Sequence, residues 1–350
     1  MTKLKCVDAF CGAGGLGLGL KRAGFDILLS FDIDNECIET ISKNKKYFGH
    51  KAEQADITNM LNGALLKKCR IKRGELDLLA GGPPCQGFSI QRIGEDKDIR
   101  NQLVLKYEKL IEELYPKCFV MENVSGIAGK RGKPILNQLI SSAENTGYVV
   151  SLKMLNAQDY GVPQRRKRYF IVGVRRDLGV KFEYPQTSKI VRTVRDTIGN
   201  LPVPREDGTD HPQISFHRRD KLSKKNLERI NAITEGQGRD ALPKKLLAKC
   251  HQVSSSVIGH RNVYGRMAWD DVAPTITARF DSFTRGQFGH PYQPRTISLR
   301  EGALLQTFPM DFIFTGNKVD VARQIGNAVP PVLAEKVGQS IIKCLTEKWC

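Results

Sequence analysis

The chain carries no Cys-x-x-Cys pair, no internal repeat and no low-complexity tract. No apolar run approaches the roughly 18 residues that a membrane span requires. Nine cysteines at irregular spacing fit neither a disulfide framework nor a zinc module. The nearest approach to a metal cluster is Cys250-His251 with His260, which lacks a second pair of ligands, so no metal is expected. The opening MTKLKCVDAF has no secretory apolar stretch, and the expectation is a cytoplasmic protein without membrane contact. Acidic residues are also in short supply. With 55 Lys+Arg against 37 Asp+Glu the net charge is +18, which favours a polyanionic partner, most simply nucleic acid. Residues 188–300 hold 20 basic against 11 acidic side chains, so half of the excess lies in about a third of the chain.

Its 350 residues suffice for about two domains. The first half alternates strand-like runs (4–10, 27–33, 77–80, 118–124, 148–155, 169–174) with helical stretches such as 102–114 and 134–145. That rhythm predicts an α/β fold with a doubly wound, mostly parallel sheet. Between 188 and 317 the rhythm breaks into proline turns, glycine loops and a basic helix-like segment near 221–229. Residues 1–187 with 318–350 are therefore expected as one discontinuous domain, and 188–317 as a smaller one of irregular and β structure.

Four stretches carry chemistry. Gly12-x-Gly14-x-x-Gly17 after the first strand lets backbone approach a ligand, and Asp32 ends the second strand where a ribose hydroxyl could be bound. Those residues alone do not separate a nicotinamide dinucleotide from S-adenosylmethionine. The run Leu78-Leu-Ala-Gly-Gly-Pro83-Pro84-Cys85 presents a thiol on a stiff turn at a strand end, a nucleophile rather than a core cysteine. Cys118-Phe-Val-Met-Glu122-Asn123-Val124 holds an acid at the end of an apolar strand, suited to protonating a ring nitrogen. Gln164-Arg165-Arg166-Lys167-Arg168 enters another strand, and Arg168 is expected to point inward, donating to a base carbonyl and favouring a thiolate.

Together and in this order these residues resemble the cytosine-C5 DNA methyltransferase family. Its last two motifs are similar to Arg300-Glu301-Gly-Ala-Leu-Leu-Gln306-Thr-Phe308-Pro309 and Gln324-Ile-Gly326-Asn327-Ala328-Val329-Pro330. The likeness spans 4 to about 335, apart from a variable stretch between roughly 188 and 272.

The resemblance implies S-adenosylmethionine as methyl donor, released as S-adenosylhomocysteine. Phe10, Gly12 and Gly14 would face it, Asp32 would bind its ribose, and Ile33, Asp56 and Ile57 would border its adenine. Pro84, Leu103, Asn327 and Ala328 would complete the pocket. Asp32 stands where many members have Glu, and Ile33 where many have an aromatic. Cys85 would add to cytosine C6 while Glu122 protonates N3; Arg168 would hold O2, with Ser89, Asn123 and Arg166 positioning the base or its backbone. The target cannot react within a duplex and must be flipped out. The variable stretch would be a target-recognition domain on double-stranded DNA. Arg261, Arg266 and Arg285 are candidate readers, with Thr275-Ile-Thr277 and Arg279 supporting them. A monomer of restriction–modification type, paired functionally with an endonuclease, is expected. The alternatives are a tRNA methyltransferase with the same motifs, an inactive DNA-binding relative and a nicotinamide oxidoreductase. The missing Cys-Phe-Thr element counts against the first, the intact Cys85 and Glu122 motifs against the second, and the basic second domain against the third.

Overall fold

Apolar runs buried on both faces become the central strands of one sheet. The computed structural model describes residues 3–84, 102–248 and 263–346. Cys85 and Ser89 lie outside the described residues, as do Arg261, Cys250, His251 and His260. The chain forms two compact units, one of Met1–Asn156, Lys167–Thr187 and Ala328–Cys350, the other of Ala157–Arg166 and Ser188–Asn327.

The first unit runs β1 (Lys5–Ala9), α1 (Gly15–Ala23), β2 (Asp26–Asp32), α2 (Asn35–Lys43), α3 (Lys45–Phe48), β3 (Lys51–Gln54) and α4 (Ala64–Cys69). It continues through β4 (Leu78–Gly81), α5 (Gln102–Leu114), β5 (Cys118–Val124), α6 (Lys133–Asn145), β6 (Tyr148–Asn156) and β7 (Lys167–Arg175). The seven strands lie in the order β3-β2-β1-β4-β5-β7-β6. The first five pair in parallel, and β7 is antiparallel to both β5 and β6. The expected mostly parallel sheet is present. The strand order reverses at β1, with β2 on one side and β4 on the other, and loops at such a switch point diverge to leave a crevice.

Two packing devices hold that crevice in place. Buried Tyr107 of α5 sets its hydroxyl 3.0 Å from Leu79 O and 2.9 Å from Val120 O, tying α5 to β4 and β5. At the C-terminus, α11 (Pro331–Thr346) returns to pack along α1. A side chain at Gly15 would stand 2.3 Å from Val329 O, so only glycine lets the returning chain approach the start of α1.

The second unit holds α7 (Val194–Ile198), α8 (Lys224–Asn231), α9 (Leu299–Leu305) and α10 (Lys318–Asn327). Among its described residues β structure is confined to isolated bridges. A small core gathers Ile230, Ile233, Leu242, Val263, Tyr264 and Phe283. The division differs from the 188–317 span read in the sequence at two places. Residues 157–166 belong to the second unit because the buried side chain of Gln164 bonds Leu305 O, Gln306 and the Ile276 N–H. Residues 318–327 belong there because α10 packs on α9 and Gly326 abuts the Thr277 backbone.

Candidate active site

Parallel pairing places the C-terminal ends of β1 to β5 on one sheet edge, and the loops that leave it carry most of the predicted residues. After β1 the chain makes a tight turn. Phe10 is at φ 55°, Gly12 at 50° and Gly14 at 83°. A left-handed phenylalanine costs about 1–2 kcal/mol, and such outliers concentrate where a backbone shape serves a ligand. A side chain at Gly14 would strike Phe48 at 2.5 Å, whereas one at Gly12 would meet nothing within 4 Å. The turn is packed from beneath and open above. It is tied to β2, because Cys11 N donates to Phe31 O and Gly12 N donates to Asp32 Oδ2 at 2.9 Å. Asp34 N donates to the other Asp32 oxygen at 3.0 Å. Burial pushes the Asp32 carboxyl up, and the N–H groups of Asp34 and Gly12 pull it back.

Around this turn the structure distributes the other predicted cofactor residues unevenly. Ile33 is 65% exposed, an apolar side chain held in solvent directly after Asp32. Asp56 caps a short 3₁₀ turn, accepting from Thr58 N, and Thr58 holds its carboxyl below the ordinary range. Ile57 points the other way and is buried in the core. Pro84 and Leu103 are half-buried. Ala328 is buried at the start of the returning segment, while Asn327 is the exposed last residue of α10, in the second unit.

The acid sits on the neighbouring strand. Glu122 is 9% exposed in β5, and Gly82 of the β4 loop runs alongside: a side chain there would lie 3.5 Å from Glu122 Oε2. Asn123 is buried; its amide donates to Pro83 O at 3.2 Å and its oxygen accepts from Val124 N, so it fastens the β4 loop to β5. Antiparallel pairing sets Val124 opposite Arg168, which delivers the arginine to the same edge. Arg168 Nε lies 3.1 Å from Glu122 Oε1, and Nη1 donates to Lys167 O. Glu122, Asn123 and Arg168 thus form one cluster beside the loop that leads into Cys85.

Arg166 is placed elsewhere. It is 1% exposed and donates to Ile276 O at 2.9 Å, a bracing position inside the second unit and not a solvent-facing one. Arg266 departs from its expected role as a base reader. It is buried, and its guanidinium is spent on the carbonyls of Ile230, Ile233, His290 and Gln293. Arg285 is exposed. Thr275 donates to Arg165 O and Ile276 N donates to Gln164, so this element holds the arginine loop directly.

Sequence reasoning assigned no role to Asp8. It is fully buried beneath the glycine turn, neither oxygen has a hydrogen-bond partner, and a side chain at Gly17 would meet it at 2.6 Å. Burial, then the Asp32 charge, pushes its carboxyl up to about 8. Its position within an apolar strand was the available signal.

Comparison with known proteins identifies the family. The sequence profile of the C-5 cytosine-specific DNA methylases matches residues 4–343. The Type II methylase M.HgiDII of Herpetosiphon aurantiacus is 35% identical over 343 residues, 97% of this chain and 95% of that protein. The Type II methyltransferase M.MthTI of Methanothermobacter thermautotrophicus is also 35% identical, covering 96% of each. A prophage-encoded E. coli protein, described as a DNA modification methyltransferase, superposes with a TM-score of 0.78 at 28% identity, covering 99% of this chain and all of that one. The S. pombe Dnmt2 methyltransferase, at 17% identity and a TM-score of 0.61, shares the fold. The chain is a DNA cytosine-5 methyltransferase and belongs to the C-5 cytosine-specific DNA methylase family.

Proposed function

We propose that the enzyme methylates C5 of a cytosine flipped out of double-stranded DNA at one short sequence, with S-adenosylmethionine as donor and Cys85 as covalent nucleophile. The observation that carries this reading is the cluster of Glu122, Arg168 and Asn123 on the edge that also bears the glycine turn and Asp32.

The turn fits an adenosine-bearing cofactor. Each Asp32 oxygen takes one N–H bond, so lone pairs are left for ribose hydroxyls. The space above Gly12 admits a ligand against backbone, and exposed Ile33 offers an apolar face to a purine. Bound there, S-adenosylmethionine would supply an electrophilic methyl group. Cytosine C5 becomes nucleophilic once C6 is attacked, and Cys85 would make that attack. The described cysteines are poor alternatives. Cys6, Cys11 and Cys118 are buried, with thiols pushed well up by burial, and that of Cys69 is pushed up to about 11. Glu122 would give its proton to N3 as the Cys85 sulfur bonds to C6. Arg168 would orient Glu122 through Nε and hold the cytosine O2, and Ser89 would help place the nucleotide. Loss of the C5 proton to water, with return of the N3 proton to the Glu122 carboxylate, then lets the Cys85 thiolate leave.

The region 188–317 would supply sequence recognition, and the Type II relatives support a place in a restriction–modification system opposite an endonuclease. Bisulfite mapping of duplex DNA incubated with the protein and S-adenosylmethionine tests the proposal. Modification at one recurring short site, absent with Cys85→Ser, is the expected result. Unmodified DNA with modified tRNA would replace the substrate, and modification of neither would leave a DNA-binding relative.

A further inference from the structure

The cations of the second unit that carry the charge signal are in large part already committed. Arg195 pairs with Asp270, Arg219 with Glu206, Arg295 with Glu301, and Arg266 with four carbonyls. One basic segment of the first unit is different. The turn that joins β5 to α6 presents Lys130 and Arg131, and α6 opens on Lys133, all exposed. No acidic residue occurs between Asn123 and Ala143, and neither lysine forms an ion pair among the described residues.

The turn is also preformed. Gly129 N bonds Gly126 O, Gly132 N bonds Gly129 O at 3.0 Å, and Lys133 N bonds Gly129 O at 2.9 Å. Ile127 anchors it in the core, and a side chain at Gly132 would lie 2.4 Å from Ile127 O. The lysine stems therefore leave a backbone that needs no ordering when an anion arrives. The strand that carries Glu122 ends at Val124, and one 3₁₀ turn, Ser125–Ala128, leads from it into the segment. A cytosine whose N3 meets Glu122 brings the phosphates on either side of its sugar to that same edge.

We infer that residues 129–133 are a phosphate clamp, binding the DNA backbone beside the flipped nucleotide without reading sequence. The inference rests on the proposed duplex substrate and adds a contact surface on the catalytic unit. Phosphate neutralisation by a cation contributes about 0.9 to the slope of log K against log salt. Binding of fluorescent duplexes from 50 to 200 mM salt, followed by anisotropy, tests it with the full-length K130A/K133A variant. The slope is expected to fall by about 1–2, with equal loss for duplexes of methylated-site and scrambled sequence. K130R/K133R should restore it, K336A on α11 should not change it, and an unaltered thermal melt establishes that the fold is intact. An unchanged slope, or a loss confined to the specific duplex, overturns the clamp. A wild type that methylates DNA while K130A/K133A keeps its slope overturns this inference alone; a wild type that binds no duplex overturns both readings.

Discussion

The two units use buried charge in opposite ways. In the first, regular strands satisfy the backbone, and ionisable groups at their ends keep capacity to spare. Asp32 has free lone pairs, Glu122 is partnered on one side by Arg168, and Asp8 has no hydrogen-bond partner. In the second, described residues form no named strand, and loop carbonyls need donors from elsewhere. Arginine provides them. Arg266 serves four carbonyls, Arg300 those of Ser215, Pro309 and Phe312, and Arg229 that of Leu246. Of the 18 described basic residues in 188–300, five, namely Arg229, Arg239, Arg266, Arg295 and Arg300, are buried. A positive count in such a region therefore overstates the charge left at the surface, because the planar five-donor guanidinium also substitutes for a sheet ladder.

Substitutions that separate activity from stability sharpen this contrast. Glu122→Gln keeps size and removes the proton, so single-turnover methyl transfer should fall by about 10²–10⁴-fold, with urea stability little changed. Arg266→Ala should act in the reverse sense. It leaves four carbonyls in a buried site, each worth about 1–3 kcal/mol when orphaned, so a loss of more than about 3 kcal/mol is expected in urea unfolding. A variant that stayed stable would show that the carbonyls find other donors, and the contrast would fail.

Asp8→Asn probes the first unit through pH. The folded carboxyl titrates at about 8 and the ordinary value is 3.8. The folded protein therefore keeps a proton that the unfolded chain releases, and stability falls as pH rises between about 4 and 8, by up to about 1.4 kcal/mol per unit. The asparagine variant lacks that slope. Its advantage over wild type should grow by about 2–3 kcal/mol from pH 6 to 8, read from paired thermal melts. Parallel curves would mean that a hidden donor already satisfies Asp8. The smallest effect is expected of Tyr107→Phe, which removes the hydroxyl between β4 and β5 and should cost about 1–2 kcal/mol without changing the methylated site.

Local pattern made much of the first unit legible. The strand at 78–81 and the helix at 102–114 follow from apolar spacing, and Gly24 at φ 119° ends α1 where its left-handed capacity is needed. The edge strand β3, with the polar sequence Lys51-Ala-Glu-Gln54, left no apolar signal. Asn44, whose amide turns back to bond Thr40 O, separates α2 from α3. Arginine function was the least legible: Arg166, Arg168 and Arg266 are chemically identical in a sequence, and only their neighbours differ.

What the sequence by itself determined is the order of the motifs, the alternation that builds a parallel sheet, and a chemistry of thiol, acid and guanidinium. Those depend on residue type and on spacing within one element. Tertiary structure alone decided that β7 runs antiparallel and so carries Arg168 to Glu122, that Asp8 is sealed without a partner, and that Arg266 is consumed by carbonyls at the end of α8 and in a distant loop. Each of these turns on groups distant along the chain, whose meeting is set by packing and by the need to pair every buried polar atom.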